Sequence, residues 1–309
     1  MSKIIVTGHR NPDTDSITSA IVYSYFKKQR GIDVLPIRLG EMNKETEHAL
    51  SYFNVDAPVL VDDNIVEKAE ELILVDHNER QQSIEHIEKF KITEVIDHHR
   101  IANFETIDPL YYRAEPVGCT ATILLKLFKE YNVEVPKQMA GLMLSAIISD
   151  SLLFKSPTCT DEDIQAAEEL SKIAGVDANV YGLDMLKAGA DLTDKSINEL
   201  VTMDAKEFEV GEHKLEIAQV NTVDVDGLLE QKQAIEERLD VIVKDKGLKL
   251  FLFVITDILN NDSTILVAGG EDEKVERAFD VKIENHTALL KGVVSRKKQI
   301  APVLMRQFS

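Results

Sequence analysis

The chain has 309 residues, of which 44% are hydrophobic and 29% are charged. At roughly 150 residues per domain this length predicts about two globular domains, and the composition excludes a disordered or fibrous chain. The 54 Asp and Glu residues outnumber the 35 Lys and Arg residues, which gives a formal net charge of −19. A surface of this sign disfavours nucleic acid and anionic membranes as partners, so any anionic ligand must be held locally.

The sequence gives no sign of export or of a membrane anchor. The longest apolar runs, such as 142–148 and 250–255, are far shorter than the roughly 20 residues of a membrane span. Residues 1–7 lack the apolar core of a signal peptide. We therefore expect a cytoplasmic protein. Its two cysteines, Cys119 and Cys159, are too few for a disulfide framework and are interpreted as small buried side chains.

The first half of the chain alternates short apolar runs with segments of helical periodicity. Strands are predicted over Ile4–Thr7, Val34–Ile37, Leu72–Val75 and Glu94–Ile96. Helices are predicted over Ile17–Gln29, Asn43–Tyr52, Val117–Tyr131 and Met139–Ile148, and another between Thr160 and Gly175. This alternation is typical of a mainly parallel sheet with helices on both faces.

The second half has the pattern of a mixed α+β domain. Hairpins are predicted around Gly211 and around 260–263, and a single long amphipathic helix over 225–246. The small polar segment 189–195 is the best candidate for a hinge. The fold class is therefore α/β, with a first domain over 1–188 and a smaller second domain with a mixed sheet over 196–309.

Acidic and imidazole side chains gather at the ends of the predicted elements of the first half. They are His9, Asp13, Asp15, Asp76, Asp97, His98, His99 and Asp150. The carboxyl ends of parallel strands line one crevice, so these groups are expected to meet there. Clustered carboxylates repel one another unless cations bind between them. Carboxylate and imidazole ligands without thiolate favour Mn²⁺, Co²⁺, Zn²⁺ or Mg²⁺, and their number favours two ions.

Each of these segments, taken alone, also has an ordinary structural interpretation. Asp13 after Pro12 is common turn chemistry, and a histidine after a strand is often a surface residue. The adjacent pair His98 and His99 behind an apolar strand has no packing explanation, and this pair favours a functional cluster. The remaining histidines are interpreted as ordinary surface or buried side chains: His48, His77, His86, His213 and His286.

The second half carries one dense basic run, Arg296-Lys297-Lys298. Such a run is often a solvated turn, but Arg and Lys together also suit phosphoryl oxygens. With cations on one domain and metals on the other, a compact polyanion would bind in the cleft between them.

The sequence resembles the DHH phosphoesterase superfamily, and in particular the family II inorganic pyrophosphatases, over essentially its whole length. The resemblance rests on GHRNPDTD at 8–15, VDHNERQQ at 75–82, VIDHHRIANF at 95–104, YYRAEPVGCTAT at 111–122, LSAIISDSLLFKSPTCT at 144–160 and VVSRKKQ at 293–299.

The resemblance implies specific roles for residues of this chain. The implied metal ligands are His9, Asp13, Asp15, Asp76, His98 and Asp150, with Asp76 shared by both ions. The implied phosphate-binding side chains are His99, Lys206, Arg296 and Lys297. Asp97 is expected to orient a histidine. The family further implies two Mn²⁺ or Co²⁺ ions per subunit, additional Mg²⁺ bound with the substrate, and a cytoplasmic homodimer built through the N-terminal domain.

The activity implied is hydrolysis of pyrophosphate to two orthophosphates. A metal-bridging hydroxide would attack one phosphorus in the interdomain cleft, and Lys206, Arg296 and Lys297 would neutralise the leaving phosphate. Three alternatives stay open: a DHH nuclease or oligonucleotide phosphatase, an exopolyphosphatase, and a non-catalytic module. The absence of Trp and of a histidine beside Gly269-Gly270 disfavours a nuclease.

Overall fold

The computed structural model describes residues 3–190, 192 and 194–308. The chain divides into two compact units, the first ending at Ala188 and the second beginning at Gly189. Two residues of the predicted hinge, Asp191 and Thr193, lie outside the described residues. Within the described ranges, no helix is both long enough and apolar enough to cross a membrane.

The first unit is built on a six-stranded sheet in which every pair of neighbouring strands is parallel. The strand order is β3-β2-β1-β4-β5-β6. The strands are β1 (Ile4–Thr7), β2 (Leu35–Arg38), β3 (Val59–Leu60), β4 (Glu71–Val75), β5 (Lys91–Asp97) and β6 (Tyr111–Ala114). The central strands β1 and β4 are buried on both faces, which explains their unbroken apolar sequences.

Seven helices in the described part of the first unit connect and cover these strands. They are α1 (Thr14–Gln29), α2 (Lys44–Tyr52), α3 (Asp63–Lys68), α4 (Thr120–Glu130), α5 (Lys137–Ser151), α6 (Asp161–Ala174) and α7 (Ala178–Gly189). Single 3₁₀ turns occur at Arg80–Gln82 and Ile87–Lys89. The predicted limits of α6 are confirmed: Thr160 caps its start, and Gly175 ends it with a left-handed φ of 67°.

The second unit contains a mixed five-stranded sheet in the order β11-β10-β9-β8-β7. Its strands are β7 (Ala205–Val210), β8 (His213–Thr222), β9 (Leu250–Asp257), β10 (Asp262–Ala268) and β11 (Thr287–Leu290). Only the pairing of β8 with β9 is parallel among the described strands of this sheet. Its described helices are α8 (Ile197–Thr202), α9 (Val225–Leu229), α10 (Lys232–Lys246), α11 (Asp272–Phe279) and α12 (Ala301–Met305), with one π turn at Arg296–Ile300.

The single long helix predicted over 225–246 is wrong, because the segment forms the two helices α9 and α10. Asp224 caps α9 by accepting a hydrogen bond from the amide of Gly227 at 2.9 Å. The amide of Gln231 then bonds to the carbonyl of Leu228, three residues back, at 3.0 Å. This tighter spacing is that of a 3₁₀ turn, and it ends α9 before α10 begins.

The second unit has an apolar cluster on each face of its sheet. One cluster includes Phe251 and Phe253, and the other includes Leu250 and Leu252. Alternate residues of β9 therefore point to opposite faces, and all four side chains are fully buried. Full burial of such a side chain contributes roughly 1.5–3 kcal/mol. The apolar run in β9 reflects its central position in the sheet.

Candidate metal centre

The candidate centre lies at the carboxyl ends of β1 and β4, the two middle strands of the first sheet. The chain continues from β1 to β2 and β3 on one side, and from β4 to β5 and β6 on the other. The loops that leave β1 and β4 therefore diverge and open a crevice at the point where the strand order reverses. His9 follows β1, Asp76 follows β4, and His98 follows β5.

His9 is held against the start of α1 by its own backbone. Its amide donates to Ser16 Oγ at 2.7 Å. This approach requires glycine at the preceding position, since a Cβ on Gly8 would lie 1.8 Å from that oxygen. The ring Nδ1 of His9 lies 2.7 Å from the carbonyl of Arg10, an acceptor, so Nδ1 carries a proton. Nε2 lies 3.4 Å from Asp13 Oδ2.

Asp13 and Asp15 are positioned by the first turn of α1. Asp13 is the N-cap, and its Oδ1 accepts from the amide of Ser16 at 2.9 Å. Asp15 is fully buried. Its Oδ1 accepts from Ser19 Oγ at 2.7 Å, and its Oδ2 accepts from the amide of Thr120 at 2.7 Å.

Asp76 occupies the middle of the cluster in a left-handed backbone conformation, with φ of 60°. Its Oδ1 accepts from Thr120 Oγ1 at 3.1 Å and lies 3.5 Å from His98 Nε2 and 3.7 Å from His99 Nδ1. Its Oδ2 lies 3.5 Å from His9 Nε2 and is buried with no hydrogen-bond partner among the described residues. A buried carboxylate oxygen without a donor is costly, and a cation at this position would remove that cost.

His98 and Asp150 lie on the other side of Asp76. The Nδ1 of His98 donates to the carbonyl of Val117 at 3.0 Å, so its Nε2 faces the cluster. Nε2 lies 3.9 Å from Asp150 Oδ2. Asp150 is in the last turn of α5, and three successive left-handed residues follow the helix, Leu152 to Phe154, with φ of 46°, 53° and 67°.

Within the part of the chain that the structure describes, the donor atoms form three groups, in each of which they lie within 4.8 Å of one another. The groups are His9 with Asp13 and Asp76, Asp76 with His98 and His99, and Asp15 with Cys119 and Asp150. All six side chains expected to bind metal are among them, and Asp76 belongs to two groups. Imidazole and carboxylate atoms about 3–4 Å apart are spaced like ligands that each lie about 2.1 Å from a common ion. The donor set therefore fits divalent metal ions.

The electrostatics of the cluster show an excess of negative charge. Burial, with the neighbouring charge of Asp13, raises the pKa of Asp76 to about 8. Burial, with the charge of Asp76, raises the pKa of Asp15 to about 8, and burial and Asp15 likewise raise the pKa of Asp150. Burial would lower the pKa of His9, but Asp13 and Asp76 outweigh it and raise that pKa to about 10. Cations would relieve this repulsion.

Asp97 is not a member of the donor groups and instead holds a histidine, as expected. It is fully buried. It accepts from the backbone amide of His99 at 3.0 Å, from the Nδ1 of His99 at 2.9 Å and from Asn78 Nδ2 at 2.6 Å. Burial would raise the pKa of Asp97, but these hydrogen bonds lower it overall. Asp97 therefore fixes the orientation of the His99 ring.

Two of the predicted phosphate-binding side chains of the second unit, Lys206 and Arg296, lie on or near the edge strand of its sheet. Lys206 is exposed on β7, the edge strand. Arg296 donates through Nη2 to Asp204 Oδ1 at 2.8 Å and through Nη1 to the carbonyl of Ile217, the register partner of Lys206, at 3.4 Å. Lys297 follows in the π turn and is exposed. The structure thus brings Arg296 close to the strand that carries Lys206.

Comparisons with known proteins cover the whole chain. The profile of the DHH family, N-terminal domain, matches residues 3–147, and that of the DHHA2 domain matches residues 183–307. The manganese-dependent inorganic pyrophosphatase of Bacillus subtilis is 61% identical over 304 residues, 98% of each chain. A Bacillus licheniformis relative, named a "probable manganese-dependent inorganic pyrophosphatase", is 62% identical over the same coverage. The chain belongs to the family II inorganic pyrophosphatases.

The similarity of this family II member to known proteins also holds for its fold. The crystal structure of a Methanococcus jannaschii protein assigned to the family II inorganic pyrophosphatases has a TM-score of 0.83 and 41% sequence identity, covering 99% of each chain. The predicted fold class, an α/β unit followed by a unit with a mixed sheet, is confirmed.

Sequence reasoning missed several side chains around the centre of this family II member. The sequence predicts Cys119 only as a small buried side chain; it is buried, but its Sγ lies among the donor atoms of Asp15 and Asp150. Burial raises the pKa of the Cys119 thiol. Cys159 is only partly buried, contrary to expectation. Thr120 contacts both Asp15 and Asp76. Nothing in the sequence indicates this role except that Thr120 lies at the start of a helix.

Proposed function

We propose that this protein hydrolyses inorganic pyrophosphate to two orthophosphates and depends on Mn²⁺. The proposal is supported by full-length similarity to relatives named for this activity. One observation carries it: two groups of ligand atoms share Asp76, whose buried Oδ2 has no hydrogen-bond partner among the described residues. That arrangement suits two divalent cations joined by one carboxylate.

The residues that would hold the metals form two sets, and Asp76 belongs to both. His9 and Asp13 with Asp76 would bind one ion, and Asp15, His98 and Asp150 with Asp76 the second. Two ions per subunit, Co²⁺ as a substitute for Mn²⁺ and further Mg²⁺ bound with the substrate are all part of the proposal. When bound, such cations polarise water and phosphoryl oxygens.

Other side chains would bind the substrate phosphates. His99 is suited to this because Asp97 fixes its ring orientation. Arg296 is held by Asp204, so its guanidinium loses little freedom when it binds an anion. With Lys206 and Lys297 it would neutralise the charge that builds on the leaving phosphate. We propose that the first unit supplies the metal centre and the second supplies these cations.

A homodimer formed through the first unit is a further part of the proposal. Strand β6 is an edge of the first sheet, and Tyr111 on it is 41% exposed. An edge strand with an exposed aromatic side chain is a natural surface for a second copy. Light scattering coupled to gel filtration gives the mass, and a monomer at micromolar concentration would contradict this part. The cytoplasmic location stays a prediction.

The activity is tested by phosphate release from pyrophosphate, with a short polyphosphate, an oligonucleotide and a cyclic dinucleotide assayed in parallel. We expect rapid release from pyrophosphate alone, its loss after chelation, and its return on adding Mn²⁺. Comparable turnover of the short polyphosphate would favour an exopolyphosphatase instead. Full activity after exhaustive chelation would contradict the metal-dependent mechanism.

A further inference from the structure

Asp163, in the first turn of α6, is a fully buried carboxylate that is not among the donor groups. Its Oδ2 accepts from the amide and the hydroxyl of Thr160 at 2.8 and 2.7 Å. Oδ2 also accepts from the amide of Gly118 at 2.8 Å, and Oδ1 accepts from Thr122 Oγ1 at 2.6 Å. All four donors are neutral backbone or hydroxyl groups.

Helix capping explains only half of these contacts. Asp163 and Thr160 form a capping box, in which each side chain satisfies a free amide of the other's backbone. A capping box needs only residues 160–163 and can lie at the surface. The bonds to Gly118 and Thr122 join segments more than 40 residues apart. They also require burial of a carboxylate, which is costly unless donors surround it.

The segment that Asp163 holds contacts three of the proposed metal ligands. The carbonyl of Val117 accepts from His98 Nδ1 at 3.0 Å. The amide of Thr120 donates to Asp15 Oδ2 at 2.7 Å, and its hydroxyl donates to Asp76 Oδ1 at 3.1 Å. Residues 117–120 therefore set the orientation of ligands that come from three different elements.

The segment has little freedom to move relative to Asp163. A Cβ on Gly118 would lie 2.6 Å from Asp163 Oδ2 and 3.0 Å from the carbonyl of Thr158. Thr158 in turn donates through Oγ1 to the carbonyl of Asp150 at 3.3 Å. The backbone of residue 118 is thus packed directly against the start of α6.

We propose that Asp163 is a positioning residue for the metal centre: by holding residues 117–122 it fixes the orientations of His98, Asp15 and Asp76. This inference rests on the proposed function, because it assumes that these three side chains bind Mn²⁺. Its effect is exerted through the 117–120 segment and requires no contact between Asp163 and metal or substrate.

The test compares Asp163→Asn with Thr160→Ala. Asp163→Asn keeps the shape of the side chain but removes its charge and replaces one acceptor oxygen by a donor. Thr160→Ala weakens the cap of the same helix and leaves the bonds to Gly118 and Thr122 in place. Thr122→Val removes one bond to the segment without changing the cap. Each full-length protein is stripped of metal and titrated calorimetrically with Mn²⁺.

We expect Asp163→Asn to weaken Mn²⁺ binding about 10- to 100-fold, the range typical of groups that orient metal ligands. Thr122→Val should also weaken Mn²⁺ binding, whereas Thr160→Ala should weaken it by less than about threefold. At saturating Mn²⁺ the KM for pyrophosphate should stay near the wild-type value. Circular dichroism and gel filtration establish whether each variant is folded. If Asp163→Asn fails to fold, the Mn²⁺ affinity of Thr122→Val tests the inference in its place.

Two results would overturn the inference while leaving the proposed function intact. In the first, a folded Asp163→Asn protein binds Mn²⁺ as tightly as the wild type. In the second, Thr160→Ala weakens binding as much as Asp163→Asn does, which would assign the effect to helix capping. A wild-type protein that bound no Mn²⁺ would overturn both the proposed function and the inference.

Discussion

One carboxylate, that of Asp76, determines how the candidate centre can work. Its two oxygens face different histidines, Oδ1 facing His98 and Oδ2 facing His9, each at 3.5 Å. A left-handed backbone at residue 76 directs the side chain this way, and Asp and Asn tolerate that conformation better than most residues. Asp76→Asn therefore tests the charge without a backbone penalty.

We expect Asp76→Asn to lose at least one Mn²⁺ per subunit and to reduce pyrophosphate hydrolysis by about 100-fold or more, because an amide is a far weaker bridging ligand. Metal content after dialysis and phosphate release are the measurements. The exposed carboxylate of Asp56 provides a matched control, and Asp56→Asn should change neither quantity. Two retained ions with full activity would exclude a shared ligand.

The basic side chains of the second unit give a complementary prediction. Arg296→Ala or Lys297→Ala should raise KM or lower kcat for pyrophosphate by roughly 10-fold or more, since each removes a charge-assisted contact to phosphate. The Mn²⁺ dissociation constant should not change. Lys298→Ala, which removes the neighbouring exposed charge, serves as the control. Loss of Mn²⁺ from either variant would contradict the proposed division of roles between the units.

Sequence reasoning selected the candidate donors of the centre because their chemistry is visible locally. His98 and His99 behind an apolar strand are conspicuous in any sequence. Asp163 is not, because it looks like an ordinary first-turn acid, and its bonds to Gly118 and Thr122 appear only when α4 and α6 pack together. Residues that act through contacts distant in sequence leave no local pattern.

At the scale of elements, α5 matters because it carries Asp150 and packs tightly against its neighbours. A Cβ on Gly141, in the middle of α5, would lie 2.3 Å from the ring of Phe53. The helix therefore accepts glycine in its interior, at a propensity cost of about 1 kcal/mol, so that this ring can lie against it.

Gly141→Ala should consequently destabilise the protein. The propensity gain of up to about 1 kcal/mol is opposed by an overpacking cost of about 1–3 kcal/mol, so we expect a net loss in unfolding free energy. Denaturant unfolding measures it. Phe53→Leu combined with Gly141→Ala should recover part of the loss, because the ring is the obstacle. A more stable Gly141→Ala protein would show that the ring moves aside freely.

The elements that sequence reasoning missed lie at the edges of the first sheet or at the boundary between the two units. Strand β3 has only two residues, both exposed, and β6 carries Tyr and Arg side chains; both strands lie at the edges of the sheet, where little burial is required of them. Helix α7 continues to Gly189, at the start of the predicted hinge. Long buried elements such as β9 and α5 were predicted well because burial on all sides imposes an apolar sequence.

At the scale of the whole molecule, metal binding should stabilise the first unit and not the second. A ligand present at 1,000 times its dissociation constant stabilises the state that binds it by about 4 kcal/mol. All six proposed ligands lie in the unit that ends at Ala188. The two units should therefore respond differently to the same addition of Mn²⁺.

Hydrogen exchange followed by mass spectrometry measures this difference directly. Adding Mn²⁺ should slow exchange in β1, β4 and α1, which frame the centre, and leave β9 and β10 close to their metal-free rates. Mg²⁺ at equal concentration is the control for ionic strength, and its effect should be weaker. Equal protection of both units would contradict a centre confined to the first.

The spread of the ligands along the chain also has a consequence during synthesis on the ribosome. His9 is made early, but the proposed centre lacks its last ligand until Asp150 at the end of α5 is added. At about 5–20 residues per second, the intervening stretch of about 140 residues takes roughly 7–30 s to translate. Throughout that interval the nascent protein carries an incomplete set of acidic groups, so capture of the second ion, which needs Asp150, must await the final turn of this helix.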